Sequence, residues 1–171
     1  MRIQTIPVLA LFISILLQGA TALAQEVVFQ ASDQSFSVSL PANFGPASSP
    51  PSNTLLALEA PSKFSLFCQK GEAVELDDGL FAEKMKQNLY DGGAQIFGKA
   101  RAPLAEQPAA SFLVGGVVPG IESLFVFNKR PDAVYTFVLN YPSGQRTQAA
   151  SLWKQIAPSF QFRPLPAESK G

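Results

Sequence analysis

The chain has 171 residues with 13 basic and 13 acidic side chains, so it carries no net charge, and that balance excludes a phosphate-binding footprint, which needs a basic excess or stripe. Histidine is absent altogether, which removes imidazole bases, His metal ligands and both Ser-His-Asp and Cys-His hydrolysis. A single cysteine removes any intramolecular disulfide, so the fold must stand on its core.

The first segment reads as a secretory leader. Met1 and Arg2 give a short positive start, and Ile6 to Leu17 is an uncharged apolar run. Small and polar residues follow and end in Ala22-Leu23-Ala24, an A-x-A site that places cleavage between Ala24 and Gln25. The rival reading is an uncleaved anchor, but a spanning helix needs about 20 mostly apolar residues. Pro7 near the start of the run and Gln18 at its end cut it short. Lipidation would need a cysteine just after the apolar run, whereas the sole cysteine is Cys68. Nothing from Gln25 onward is long and apolar enough to span a bilayer. Taking 24 from 171 leaves 147 residues, enough for one domain that buries about 70% of its unfolded surface. We expect residues 25–163 to form that domain and 164–171 to be a flexible tail.

Val27–Gln30 and Ser35–Leu40 read as a hairpin about Ser32-Asp33-Gln34, with Phe36, Val38 and Leu40 on one face. Pro41 ends the second strand, and residues 41–53, with four prolines, are expected as a long loop without a catalytic role. Thr54–Glu59 and Lys63–Gln69 form a second pair. Cys68 shares a face with Phe64 and Leu66, and no basic neighbour lowers its pKa, so a buried small hydrophobe is favoured over a reactive thiol. A helix is expected over 78–90, capped by Asp77 or Asp78, buried along Phe81, Met85 and Leu89 with Leu80 beside them, and stopped by Gly92-Gly93.

Strands resume at 94–100, 110–118, 121–128 and 133–141. The last two are apolar on both faces: Leu124 and Val126 against Phe125 and Phe127, Val134 and Val138 against Tyr135, Phe137 and Leu139. Such strands belong in the middle of a sheet covered on both sides. A second helix over 144–157, capped by Ser143 and stopped by Pro158, buries Ala149, Leu152, Trp153 and Ile156, and 159–163 makes a last short strand. The fold class is therefore α+β: a mainly antiparallel sheet sandwiched by helices, an α/β/α arrangement.

Candidate chemistry is thin. Glu72, Glu75, Asp77 and Asp78 are the densest acids, but their offsets do not make a calcium loop, and a solvated helix start explains them better. Gly115 to Gly120 lacks the lysine of a phosphate loop and reads as a strand end and turn. Lys129 and Arg130 form either a docking pair for an acidic partner or a solvated hairpin tip. The 14 phenylalanines fill the core or line a pocket for an apolar ligand. No catalytic, metal-binding or cofactor-binding residue is assigned.

Three stretches together resemble the Mog/PsbP-like superfamily: Phe36-Ser37-Val38-Ser39-Leu40-Pro41, the late Tyr135-Thr136-Phe137, and the closing Ile156-Ala157-Pro158-Ser159-Phe160. That superfamily includes photosystem II extrinsic proteins, a nuclear Ran-binding import factor and bacterial envelope proteins. Phe44 stands where such domains often carry Trp. The resemblance implies an antiparallel sheet between helices and a non-enzymatic protein that binds others or assists assemblies. With the leader, it implies an exported protein, periplasmic or extracellular, or in a thylakoid lumen, with an unknown envelope protein as partner. Phe44, Lys129 and Arg130 are the interface candidates. A carrier of an apolar small molecule is the alternative, and a carboxylate-dependent hydrolase a remoter one.

Overall fold

The computed structural model describes residues 25–104, 109–115 and 117–164. The leader, with Ala24 of the cleavage site, and the tail beyond Pro164 lie outside the described residues. The strands are β1 (Glu26–Gln30), β2 (Phe36–Pro41), β3 (Gly45–Pro46), β4 (Thr54–Glu59) and β5 (Ser65–Gly71), then, after helix α1 (Asp78–Asp91), β6 (Gln95–Lys99), β7 (Ala110–Gly115), β8 (Ile121–Lys129) and β9 (Val134–Pro142). Helix α2 (Arg146–Ile156), a 3₁₀ turn (Ala157–Ser159) and β10 (Gln161–Phe162) close the chain.

Every strand pairing is antiparallel. Seven strands form one sheet in the order β3-β4-β5-β9-β8-β7-β6, and three form a smaller one, β1-β2-β10. The two-faced strands β8 and β9 are interior, as their apolar pattern requires. On one face of the large sheet, Leu66, Leu124, Val126, Tyr135, Phe137 and Leu139 pack against the small sheet and α2. On the other, Phe112, Val114, Phe127 and Val134 pack against Phe81, Met85 and Leu89 of α1.

The fold is thus α+β and antiparallel, with one layer shared between a helix and a second sheet. Period-2 alternation put Phe36, Val38 and Leu40 on a buried face correctly, and all three are buried. That face completes the sandwich from outside the large sheet, because β2 finds its second partner in β10. At the junction, the Phe137 ring meets Phe160 at 4.7 Å and Phe36 at 5.3 Å, both edge-on. Trp153 of α2 lies 5.9 Å from Phe160, and Tyr135 lies 5.3 Å from Phe162. Edge-to-face packing of this kind adds about 0.5–1.5 kcal/mol per pair beyond burial.

Several local expectations are revised. The 41–53 segment carries β3, which pairs Gly45 with Glu59 and Pro46 with Leu58, so part of the loop is sheet edge. Leu80 is 59% exposed, one step off the stripe of Phe81, Met85 and Leu89. Ser143 does not cap α2. Gly144 has φ +88°, a left-handed conformation that no right-handed helix admits, so the helix starts at Arg146 without a side-chain cap. Leu152 is half-buried, and Pro158 tightens the last turn into 3₁₀ geometry, where its missing N–H costs nothing. Asp77 caps α1 as expected, its Oδ1 accepting from the Leu80 amide at 2.9 Å.

Because Phe137 is fully buried where three elements meet, Phe137→Ala should lower the unfolding free energy by about 3–5 kcal/mol. Leu80→Ala should stay within about 0.5 kcal/mol of wild type. Urea unfolding followed by far-UV circular dichroism measures both.

Candidate functional site

The described residues leave two surfaces that could receive something. The larger is a cleft of about 720 Å³ beside α2. One wall is the segment Ala100–Pro103, held by the buried Ser111 of β7, whose Oγ donates to the Ala100 carbonyl at 2.6 Å and accepts from the Ala102 amide at 3.2 Å. The opposite wall is the alanine face of α2, Ala149 and Ala150, continued by Ala157. Trp153 spans from helix to wall, its indole N–H donating to the Pro103 carbonyl at 3.3 Å. Leu113 and Leu124 contribute from the large sheet.

The mouth is cationic: Arg101, Arg146 and Lys154 line it, and no acid does among the described residues. Arg146 is paired with Glu122 at 3.1 Å and lies over the Phe97 ring at 5.1 Å, while Arg101 and Lys154 have no carboxylate partner among the described residues. Tyr141 also lines the cleft and is fully buried, and its hydroxyl makes no hydrogen bond of normal geometry. Burial pushes its pKa up, and the nearby Glu122 carboxylate adds to that, so the phenol stays protonated at neutral pH. Asn128 Oδ1 is likewise buried and unpaired, but Asn128 lines none of the three clefts described.

The second surface is the half of the large sheet that α1 does not cover. Helix α1 packs on β6 and β7. On the same face, Phe67 of β5, Val138 of β9 and Phe125 of β8 are only half-buried. They adjoin Val117 and Val118, which are 60% and 53% exposed. A polar row crosses this face: Ser123 donates to Asn140 at 2.6 Å, and Asn140 donates to Ser65 at 3.3 Å. A third, smaller cleft of about 310 Å³ lies by α1 between Phe81, Ala82, Phe127 and Lys129.

The interface candidates read from the sequence are not brought together. Phe44 is 6% exposed, in the core with the small sheet. Lys129 Nζ is used internally: it donates to the Leu76 carbonyl at 2.6 Å, pairs with Asp78 at 2.7 Å and lies 5.8 Å from the Phe81 ring, tying the start of α1 to β8. The Arg130 guanidinium stacks on Phe162 at 4.6 Å, holding β10. Of the acidic cluster, Asp77 caps α1 and Asp78 binds Lys129, while Glu72 and Glu75 are exposed. Among the described residues no three cysteine or carboxylate side chains converge, and no acidic pair lines a cleft. Gly115 is tight for a packing reason: a Cβ there would come within 2.6 Å of the Phe97 ring. Gly120, at φ +76°, makes the turn into β8.

Cys68 is fully buried, and desolvation, reinforced by the charge of Asp33, raises its pKa well above the usual thiol value. It is therefore a core residue and not a nucleophile. No helix among the described residues is long and apolar enough to cross a membrane.

By sequence, no family model and no curated protein matches the chain. By structure, it is similar to the cyanobacterial PsbP (CyanoP) of Synechocystis, with a TM-score of 0.56 at 12% identity, over 85% of this chain and 96% of that one. It is also similar to a mutant form of the protein Mog1, with a TM-score of 0.57 at 11% identity, over 81% and 96% of the two chains. At 11–12% identity the likeness is one of fold: the same antiparallel α+β arrangement is seen in CyanoP and in Mog1.

Two outcomes follow from this geometry. Ser111→Ala leaves the Ala100 carbonyl and Ala102 amide without their hydroxyl partner, and should cost about 1–3 kcal/mol. The same change should speed hydrogen exchange at the Ala102 amide, which a purely global loss of stability would not single out. Cys68 should react with a thiol reagent at neutral pH only after denaturation; labelling of the native protein at the free-thiol rate would contradict its burial.

Proposed function

We propose that the mature chain is an exported, non-catalytic domain of the cell envelope that binds another protein, or assists its assembly, through the bare half of the large sheet. The observation that carries this reading is the run of apolar side chains from Phe67 and Phe125 to the exposed Val117 and Val118, on a face whose other half α1 covers. An apolar centre crossed by a few hydrogen-bonding groups is the composition of a protein contact surface. The leader and its Ala24–Gln25 site support export, and the Mog/PsbP-like resemblance supports binding without catalysis. Phe44, Lys129 and Arg130 are occupied inside the fold, so the contact surface is assigned to the sheet. The destination is the periplasm or the cell exterior, or a thylakoid lumen.

The test uses a photo-crosslinking residue in intact cells, placed at Phe67 in one variant and at the exposed Lys84 of α1 in another. A discrete adduct at Phe67 that disappears with the surface change Val118→Asp, and has no counterpart at Lys84, is the expected result. The same adducts at both positions, or none at Phe67, would overturn the sheet face as the contact. Mass spectrometry of the protein should find its first residue to be Gln25; an unprocessed cytoplasmic chain would remove the exported part of the reading.

A further inference from the structure

The cleft beside α2 plays no part in a contact made on the opposite face of the sheet, and its construction calls for a separate explanation. The cleft opens to solvent on one side and holds about 720 Å³. It falls within the roughly 300–1,000 Å³ of small-ligand sites. Helix α2 lines it with Ala149 and Ala150 between the longer Arg146, Thr147 and Lys154, and Trp153, bonded to the Pro103 carbonyl, acts as a strut between helix and wall. Ser111 fixes that wall from below.

The chemistry of the lining is divided. Leu113, Leu124 and the Trp153 ring make the interior, whereas Arg101 and Lys154 stand exposed at the rim with no carboxylate partner among the described residues. Tyr141 adds a buried hydroxyl with an unused hydrogen-bonding capacity. A peptide laid here would press its amide groups against leucine and indole with no partners, which costs more than the contact returns. An alkyl chain has no such groups. A single anionic head at its end would complement Arg101 and Lys154, in a site where no other described lining residue offers a negative charge.

We propose that this cleft binds a single-chain aliphatic carboxylate, its chain against Leu124 and Trp153 and its head between Arg101 and Lys154. The site is independent of the sheet face: it stands or falls whether or not that face docks a protein. Carboxylates of this kind occur free or can be mimicked by anionic lipid heads at a membrane surface; the free form is assigned because the cleft volume of about 720 Å³ suits one small molecule.

Trp153 is the only tryptophan of the chain, so its fluorescence reports on the cleft directly. The full mature protein is titrated with sodium decanoate below its micellar concentration, with 1-decanol, and with vesicles of phosphatidylglycerol. Decanoate should shift the Trp153 emission saturably, with one site by calorimetry and an affinity at least about tenfold above that for decanol. The double change of Arg101→Gln and Lys154→Gln, at exposed positions, should weaken decanoate about tenfold and leave decanol unchanged. Ala150→Phe, at an exposed position on the helix face, should block both. No saturable response in the wild type, equal affinity for acid and alcohol, an unchanged affinity in the double variant, or a response to vesicles alone would each overturn the assignment.

Discussion

The packing around Phe137 is the constraint on which the rest of the molecule depends. Its ring is fully buried and touches Phe36 of the small sheet, Phe160 after α2 and, at 6.4 Å, Trp153 of α2 itself. Three separate elements are therefore located by one side chain on the central strand of the large sheet. With no disulfide to close the chain, this aromatic junction does the work a crosslink does in many small exported domains. The abundance of phenylalanine is accounted for first by this junction and second by the Phe112–Phe127–Phe125 packing on the opposite face.

The two faces of the large sheet are covered unequally, and both candidate surfaces come from that inequality. One face receives a small sheet and helix α2, and a cleft remains beside the alanines of that helix. The other receives one helix that reaches β6 and β7, and Phe67, Val138 and Phe125 stay half-exposed. Charges follow the same division. Lys129 and Arg130 are consumed in holding elements together, whereas Arg101 and Lys154 at the cleft mouth have no carboxylate partner among the described residues.

Much of the fold was legible because local periodicity states which side of an element is buried. The alternation of Phe36, Val38 and Leu40 and the four-residue recurrence of Phe81, Met85 and Leu89 correspond to buried faces in the structure. The two-faced apolar strands are interior but leave Phe125 and Val138 half-buried on one side. Periodicity does not state which sheet a strand joins. The assignment of β2 to a second sheet rests on its pairing with β10, more than a hundred residues away, and no short window contains that information. The start of α2 was misplaced for a different reason: Ser143 is a good cap by type, but the left-handed Gly144 after it breaks the helical path. The site was less legible still. Lys129 and Arg130 looked like surface charges because their partners, Leu76, Asp78 and Phe162, are distant in sequence. The cleft is assembled from five separate segments, and the clearest local sign of it, the small Ala149-Ala150 pair beside a lone tryptophan, is also what an ordinary packed helix carries.

The small sheet also sets an order of events for folding. Ser37 pairs with Gln161, and Ser159 Oγ accepts from the Ser39 amide at 2.9 Å while donating to the Ile156 carbonyl at 2.7 Å. The second strand and the last thus hold each other, and the face that buries Phe36 cannot close until almost the whole chain is available. Such long-range closure is slow and keeps the early segment open while synthesis proceeds. The seven strands of the large sheet are complete by Pro142, so the small sheet is the layer that closes last, over a surface already formed.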